Sequence, residues 1–220
     1  MYFSPMSSFF SKARVEAFSD GVFAIIITLL VLELRVPHIE LPATAEALSE
    51  ALVHLLPKFI AWVISFAIVG VIWVNHHRIF HALKSIDHNL FWLNLNLLLW
   101  TSFIPFPTAL VGDYLNNKLA MSFFGIANSM MGFAFLFIRL YMWRHPETTE
   151  GLSREYLWKG VRNVLLFGPS LYLTGAALAW VHPYIALAVY GFIPLYFILP
   201  GATALEQQAD SQGSGDQTEK

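Results

Sequence analysis

The sequence predicts an all-α membrane protein with six transmembrane helices per chain, and two observations carry that prediction. Only 13% of the 220 residues are charged while 56% are hydrophobic, with a mean hydropathy of +0.56. A soluble domain would carry about 25% charged residues. In a window of about 19 residues, apolar stretches recur at lengths that cross a hydrocarbon core of about 30 Å. The nineteen Phe and seven Trp suit lipid-facing and interfacial surfaces. A formal net charge of −2 leaves no basic footprint, so no nucleic-acid partner is expected. The absence of Cys removes disulfides, thiolate metal sites and Cys nucleophiles.

Taken in order, the expected spans are 13–34, 57–74, 90–111, 119–143, 160–180 and 183–199. Together they make one transmembrane unit over 1–200, followed by a polar tail over 201–220 expected to be disordered and cytoplasmic. Lys12 and Arg14 ahead of the apolar run 22–32 resemble the start of a signal peptide, but no small-residue cleavage site follows, so the first span is read as retained. Val36-Pro37 and Leu41-Pro42 stop the first helix, and 43–56 has the pattern of a short interfacial helix. The longer connections are 35–56, 75–89 and 144–159. Pro105 and Pro107 fall inside the third span and Pro169 inside the fifth.

Lys12, Arg14, Arg78, Lys84, Arg144, Arg154, Lys159 and Arg162 gather on the side of the N-terminus, against Arg35, Lys58 and Lys118 on the other. The positive-inside rule then places both termini in the cytoplasm of a multi-pass cell-membrane protein. The stretch FSDG occurs once, so no internal duplication is expected.

The first span contains a carboxylate, Asp20, within RVEAFSDGVFAIIITLLVLEL. Ionisable groups at such depth are costly and mark function or a buried partner. At about 100° per residue, Arg14, Phe18, Ile25, Thr28, Leu29 and Leu32 share one stripe, and Asp20 lies about 140° from Ile25. The stripe can face lipid, a bundle core or a pore. Asp20 is expected to point at helices of the same chain. In the second span, Phe66, Gly70, Trp73 and His77 fall on one face, and the third opens with Asn94 and Asn96. Ser19, Asp20, His77 and Asn94 are therefore expected to meet in one buried network, either stapling helices or relaying protons. His76, His77 and His81 resemble one histidine box of membrane desaturases, but the other histidines form no second cluster, and neither a metal site nor an enzyme is expected.

Arg14-x-x-x-Phe18-Ser19-Asp20-Gly21 in a first transmembrane helix resembles the signature of the transmembrane protein 175 family of potassium channels. The WVNHH segment, the Asn-rich start of the third span and FIPFPTALVG (103–112) are similar to that family too. The resemblance implies a homotetramer in the lipid bilayer whose first helices line a central pore, with K⁺ as the permeant ion, no cofactor, and no TVGYG filter. It assigns the bottleneck to Ile25 and the following polar position to Thr28, with Leu29 and Leu32 on later turns. Arg14, Phe18, Ser19, Asp20, Trp73, His77 and Asn94 become the structural polar network behind the pore. Glu40, Glu46 and Glu50 of the outer loop either concentrate cations at the mouth or form an ordinary solvated surface. The rival reading is a proton-coupled transporter using Asp20 and His77. The unbroken first helix favours the channel, whereas the prolines in spans three and five keep the transporter open.

Overall fold

The computed structural model describes residues 11–39 and 44–198. The expected tail 201–220, Glu40, Pro42 and the first residue of the 43–56 segment lie outside the described residues. The described chain is helical throughout, with a single isolated antiparallel bridge between Leu83 and Thr149.

The first helix, α1 (Lys12–Leu30), tightens into a 3-10 turn at Val31–Glu33. Helix α2 (Ala45–His54) starts where Thr44 Oγ1 accepts from Ala47 N at 3.2 Å, an N-cap. Helix α3 (Leu56–His81) runs past the expected end at 74, because Asn75 to His81 contain neither Gly nor Pro to stop it. The expected connection 75–89 is correspondingly shorter. Asp87 Oδ1 caps α4 (His88–Ser102) by accepting from Leu90 N at 2.8 Å. Pro105 and Pro107, which lack backbone N–H donors, separate α4 from α5 (Pro105–Asp113). Asn117 caps α6 (Lys118–Arg144).

The fifth expected span is the largest departure. Helix α7 (Arg154–Leu165) begins before 160 and is strongly amphipathic, carrying Arg154, Glu155, Lys159, Arg162 and Asn163. A π turn over Leu166–Ser170 then leads into α8 (Leu171–Leu178). The break has a local cause: Gly168 adopts φ −96°, ψ −108° directly before Pro169, where the ring disfavours helical backbone. Helix α9 (Pro183–Ile198) has 16 residues. By length and composition, four helical runs among the described residues suffice to cross a membrane: Lys12–Glu33, Leu56–His81, His88–Asp113 and Lys118–Arg144.

Helix α6 is the centre of the bundle, packed by α4, α5, α7, α8 and α9. Its buried face is rich in small residues, including Ala120, Ser122, Gly125, Ala127, Gly132 and Ala134, which let other backbones come close. A Cβ at Gly132 would stand 2.9 Å from Pro169 Cδ, so the π turn rests directly on that glycine. Helix α1 packs at the periphery, against α3 and α4.

Polar contacts fix which helix ends lie together. At one end, Lys12 Nζ donates to the carbonyls of His81 (2.9 Å) and Leu83 (2.6 Å), closing the C-terminus of α3 with a cation. Lys84 N donates to Thr148 O at 2.9 Å, and the Tyr141 hydroxyl donates to Asp87 Oδ2. At the opposite end, Lys58 Nζ pairs with Asp113 Oδ1 at 2.5 Å, and Lys118 Nζ donates to Trp180 O at 2.9 Å.

Candidate functional site

Helix α1 is sharply divided. Val15, Ser19, Phe23, Ile26 and Leu30 are buried against the rest of the chain. Phe18, Ile25, Leu29 and Leu32 are 53%, 58%, 44% and 65% exposed, and Arg14 and Thr28 are exposed with them. Arg14, Phe18, Ile25, Leu29 and Leu32 follow one another at four, seven, four and three positions, and Thr28 stands three after Ile25 and four before Leu32, so they form one stripe. The Thr28 hydroxyl donates to its own helix, to Ile25 O (2.9 Å) and Ala24 O (3.1 Å). Its proton is thereby committed inward, and what it offers outward is oxygen lone pairs.

Behind the stripe runs a buried chain of hydrogen bonds. His76 Nε2 donates to Asn94 Oδ1 at 2.9 Å, Asn94 Nδ2 donates to Ser19 Oγ at 2.9 Å, and Ser19 Oγ donates to Val15 O at 2.9 Å. This assignment gives each group a distinct role. Turning the amide over would require Ser19 to donate to Asn94 and abandon Val15. Ser19, His76 and Asn94 are at most 1% exposed, and the His76 ring stacks on Phe80 at 3.9 Å. Three helices, α1, α3 and α4, are thus joined at one point.

The histidine in that chain is His76, not His77. His77 is exposed and its ring lies beside Trp73, 6.0 Å between centroids. The reason is helical phase: both faces of α3 are apolar, so the Phe66, Gly70, Trp73, His77 stripe is no better a core face than its neighbour. The buried stripe is Ala61, Ser65, Ile68, Ile79 and Phe80 with His76 among them. That stripe, with one serine and one histidine at helical spacing, was the signal available in the sequence.

Asp20 is likewise outside the buried chain. It is half-buried, and its Oδ1 accepts from Trp73 Nε1 at 2.9 Å. The single expected network therefore divides into a buried link (Ser19, Asn94, His76) and a half-buried link (Asp20, Trp73). Arg14 and Phe18 belong to neither, standing on the exposed stripe. A further polar contact not anticipated from the sequence joins α3 to α5, where Thr108 Oγ1 and Ser65 Oγ lie 2.7 Å apart, both buried. Glu46 and Glu50 sit exposed on α2.

Ser19, Asp20, Trp73, His76 and Asn94 all lie within the stretch that a known family shares. The family described as endosomal/lysosomal potassium channel TMEM175 matches residues 14–105. A relative from Chamaesiphon minutus named as a potassium channel is 39% identical over 84% of this chain and 93% of its own. A crystal structure titled as a lysosomal potassium-selective channel TMEM175 homolog from that organism superposes with a TM-score of 0.74, at 37% identity, over 84% of this chain and 95% of that one. A Danio rerio protein named as an endosomal/lysosomal proton channel is 26% identical over 86% of this chain but only 37% of its own length. With identity spread across most of both chains and a shared fold, this helical membrane protein belongs to the TMEM175 channel family.

Proposed function

We propose that the chain is a potassium-preferring cation channel of the cell membrane, with six spans and both termini cytoplasmic, whose pore is formed by α1 helices of a homotetramer. The observation that carries this reading is the division of α1. One face is anchored by the buried Ser19–Asn94–His76 chain, while Ile25, Thr28, Leu29 and Leu32 remain uncovered by the protomer. A ring of Ile25 side chains makes a dry constriction, and such constrictions gate by dewetting. One turn on, the Thr28 oxygens offer ligands to a partly dehydrated cation, so no TVGYG filter is required.

The transporter reading loses support from the geometry around Asp20. The group bonded to the carboxylate is an indole N–H, which donates but has no acceptor site and passes no proton onward to His77. The test is flux through liposomes containing the purified protein, together with an image of the particle. Fast downhill K⁺ flux without a pH gradient, through a fourfold particle, supports the channel. Flux that requires a proton gradient overturns it.

A further inference from the structure

A cavity of about 690 Å³ opens at the side of the bundle between α3, α6, α7 and α9. Its upper wall carries two guanidinium groups, Arg78 and Arg139, and two carboxamides, Asn75 and Asn163. Arginine stays charged at every physiological pH. Arg139 lies roughly 7.5 Å before the end of α6 and Arg78 roughly 4.5 Å before the end of α3, by helical rise. Both therefore stand just inside the end of the bundle that also carries Lys12 and Lys84. Arg139 is held in place, its guanidinium over the Phe135 ring at 5.8 Å and its Nη1 against Gly160, where an added Cβ would come within 2.9 Å.

Deeper along the cavity the lining turns apolar, with Phe66 and Val71 on one side and Phe167 and Phe197 on the other. A second space of about 50 Å³ continues inward from it to the Gly168–Pro169 turn and Pro194. The exposed Arg78 and the buried Arg139, 8% exposed, at one end of the groove with an aromatic trough beyond them match an amphiphile whose anionic head sits at the interface and whose tail runs inward.

We propose that this groove is a binding site for an anionic phospholipid, its phosphate held by Arg78 and Arg139 and an acyl chain laid along Phe66 and Phe167. Two alternatives fit less well. A free inorganic anion would leave the aromatic trough unfilled. The chain's own tail, GATALEQQADSQGSGDQTEK over 201–220, supplies acids but only Leu205 as a large apolar residue. Trp73 lines the same groove while donating to Asp20 of α1, so the site adjoins the anchor of the exposed stripe. The inference rests on membrane embedding alone and is independent of which ion the channel carries.

Native mass spectrometry of the full-length purified protein, exchanged against phosphatidylglycerol and phosphatidylcholine of matched chains, tests it. The wild type should retain phosphatidylglycerol preferentially, and Arg78→Gln should lower that retention about fivefold, with phosphatidylcholine unchanged. Gly70→Leu provides a second route. Gly70 lines the groove and a Cβ there meets nothing within 4 Å, so the variant folds while its side chain occupies the trough and should reduce retention of both lipids. Excess inorganic phosphate should not displace the lipid, and deletion of 201–220 should leave retention unchanged. Undiminished phosphatidylglycerol in both variants overturns the proposal. Displacement by inorganic phosphate, or a large gain in lipid on removing the tail, does so equally.

Discussion

Trp73 donates its indole N–H to Asp20 Oδ1 at 2.9 Å, tying the side of α3 to a carboxylate of α1. It lies beside the buried Ser19–Asn94–His76 chain, so α1 is held at two adjacent points on one flank. Trp73→Phe keeps an aromatic ring and removes only the donor. Because the carboxylate is half-buried, water replaces part of the loss, and the variant should be destabilised by about 1 kcal/mol. Thermal unfolding in detergent measures it; an unchanged midpoint would assign the bond no stabilising role.

Asn94 and His77 give a sharper contrast. Asn94→Ala removes the centre of the buried chain and leaves both Ser19 and His76 short of a partner, which should cost about 1–3 kcal/mol. His77→Ala, at an exposed position, should stay within about 0.5 kcal/mol of the wild type. Chemical denaturation of the two variants side by side checks the ranking. A larger loss at His77 would contradict the placement of these rings.

Ile25 and Ile26 are neighbours with opposite environments, 58% and 3% exposed. Ile25→Asn should fold, keep the constriction wet, raise downhill cation flux and reduce discrimination between K⁺ and Na⁺. Ile26→Asn instead buries an amide among apolar groups, at a cost of about 1–3 kcal/mol, and should lower the yield of folded protein. Currents recorded for K⁺ and Na⁺ in both variants decide it. A well-assembled Ile25→Asn protein with unchanged conductance and selectivity would remove the stripe from the pore.

Gly21 separates the single chain from its assembly. It is exposed, about 40° from Ile25 around the helix, and an added Cβ meets nothing within 4 Å. Gly21→Leu should therefore leave protomer stability intact while crowding the centre of an assembled ring. Reduced flux with an unaltered unfolding midpoint is the expected pair of results; full wild-type flux would place Gly21 away from the axis.

Gly132 behaves in the reverse manner. Any side chain there must push Pro169 aside, since the Cβ alone approaches the ring Cδ to 2.9 Å. Gly132→Val should cost about 1–3 kcal/mol by overpacking. A midpoint equal to the wild type's would mean that the π turn yields freely.

Much of α1 was legible in the sequence because a helix with one polar anchor and one aliphatic stripe declares its phase. The wheel placed Ile25, Thr28, Leu29 and Leu32 together, and the structure leaves all four exposed. Helix α3 gave no such guidance. Most of its residues are aliphatic or aromatic on every side, so hydropathy alone does not tell His76 from His77; the helical spacing of His76 from Ser65 and the demand of a buried Asn94 for a partner do. The fifth span, 160–180, falls within the helical run of α7, the π turn and α8, but the start of that run is less legible for a different reason. Gly168 and Pro169 announce a break, but the amphipathic α7 ahead of it carries too many charges to register as apolar, and its true start at Arg154 was hidden.

The donor order from His76 through Asn94 and Ser19 to Val15 has a mechanical consequence. Sliding α1 by one residue would present Phe18 or Asp20 to Asn94, and rotating it by one position would withdraw the serine from reach. The helix is keyed to α3 and α4 in register and in phase. A movement of the face that bears Ile25 would then carry α3 and α4 with it, as a leaf of an iris carries its own edge.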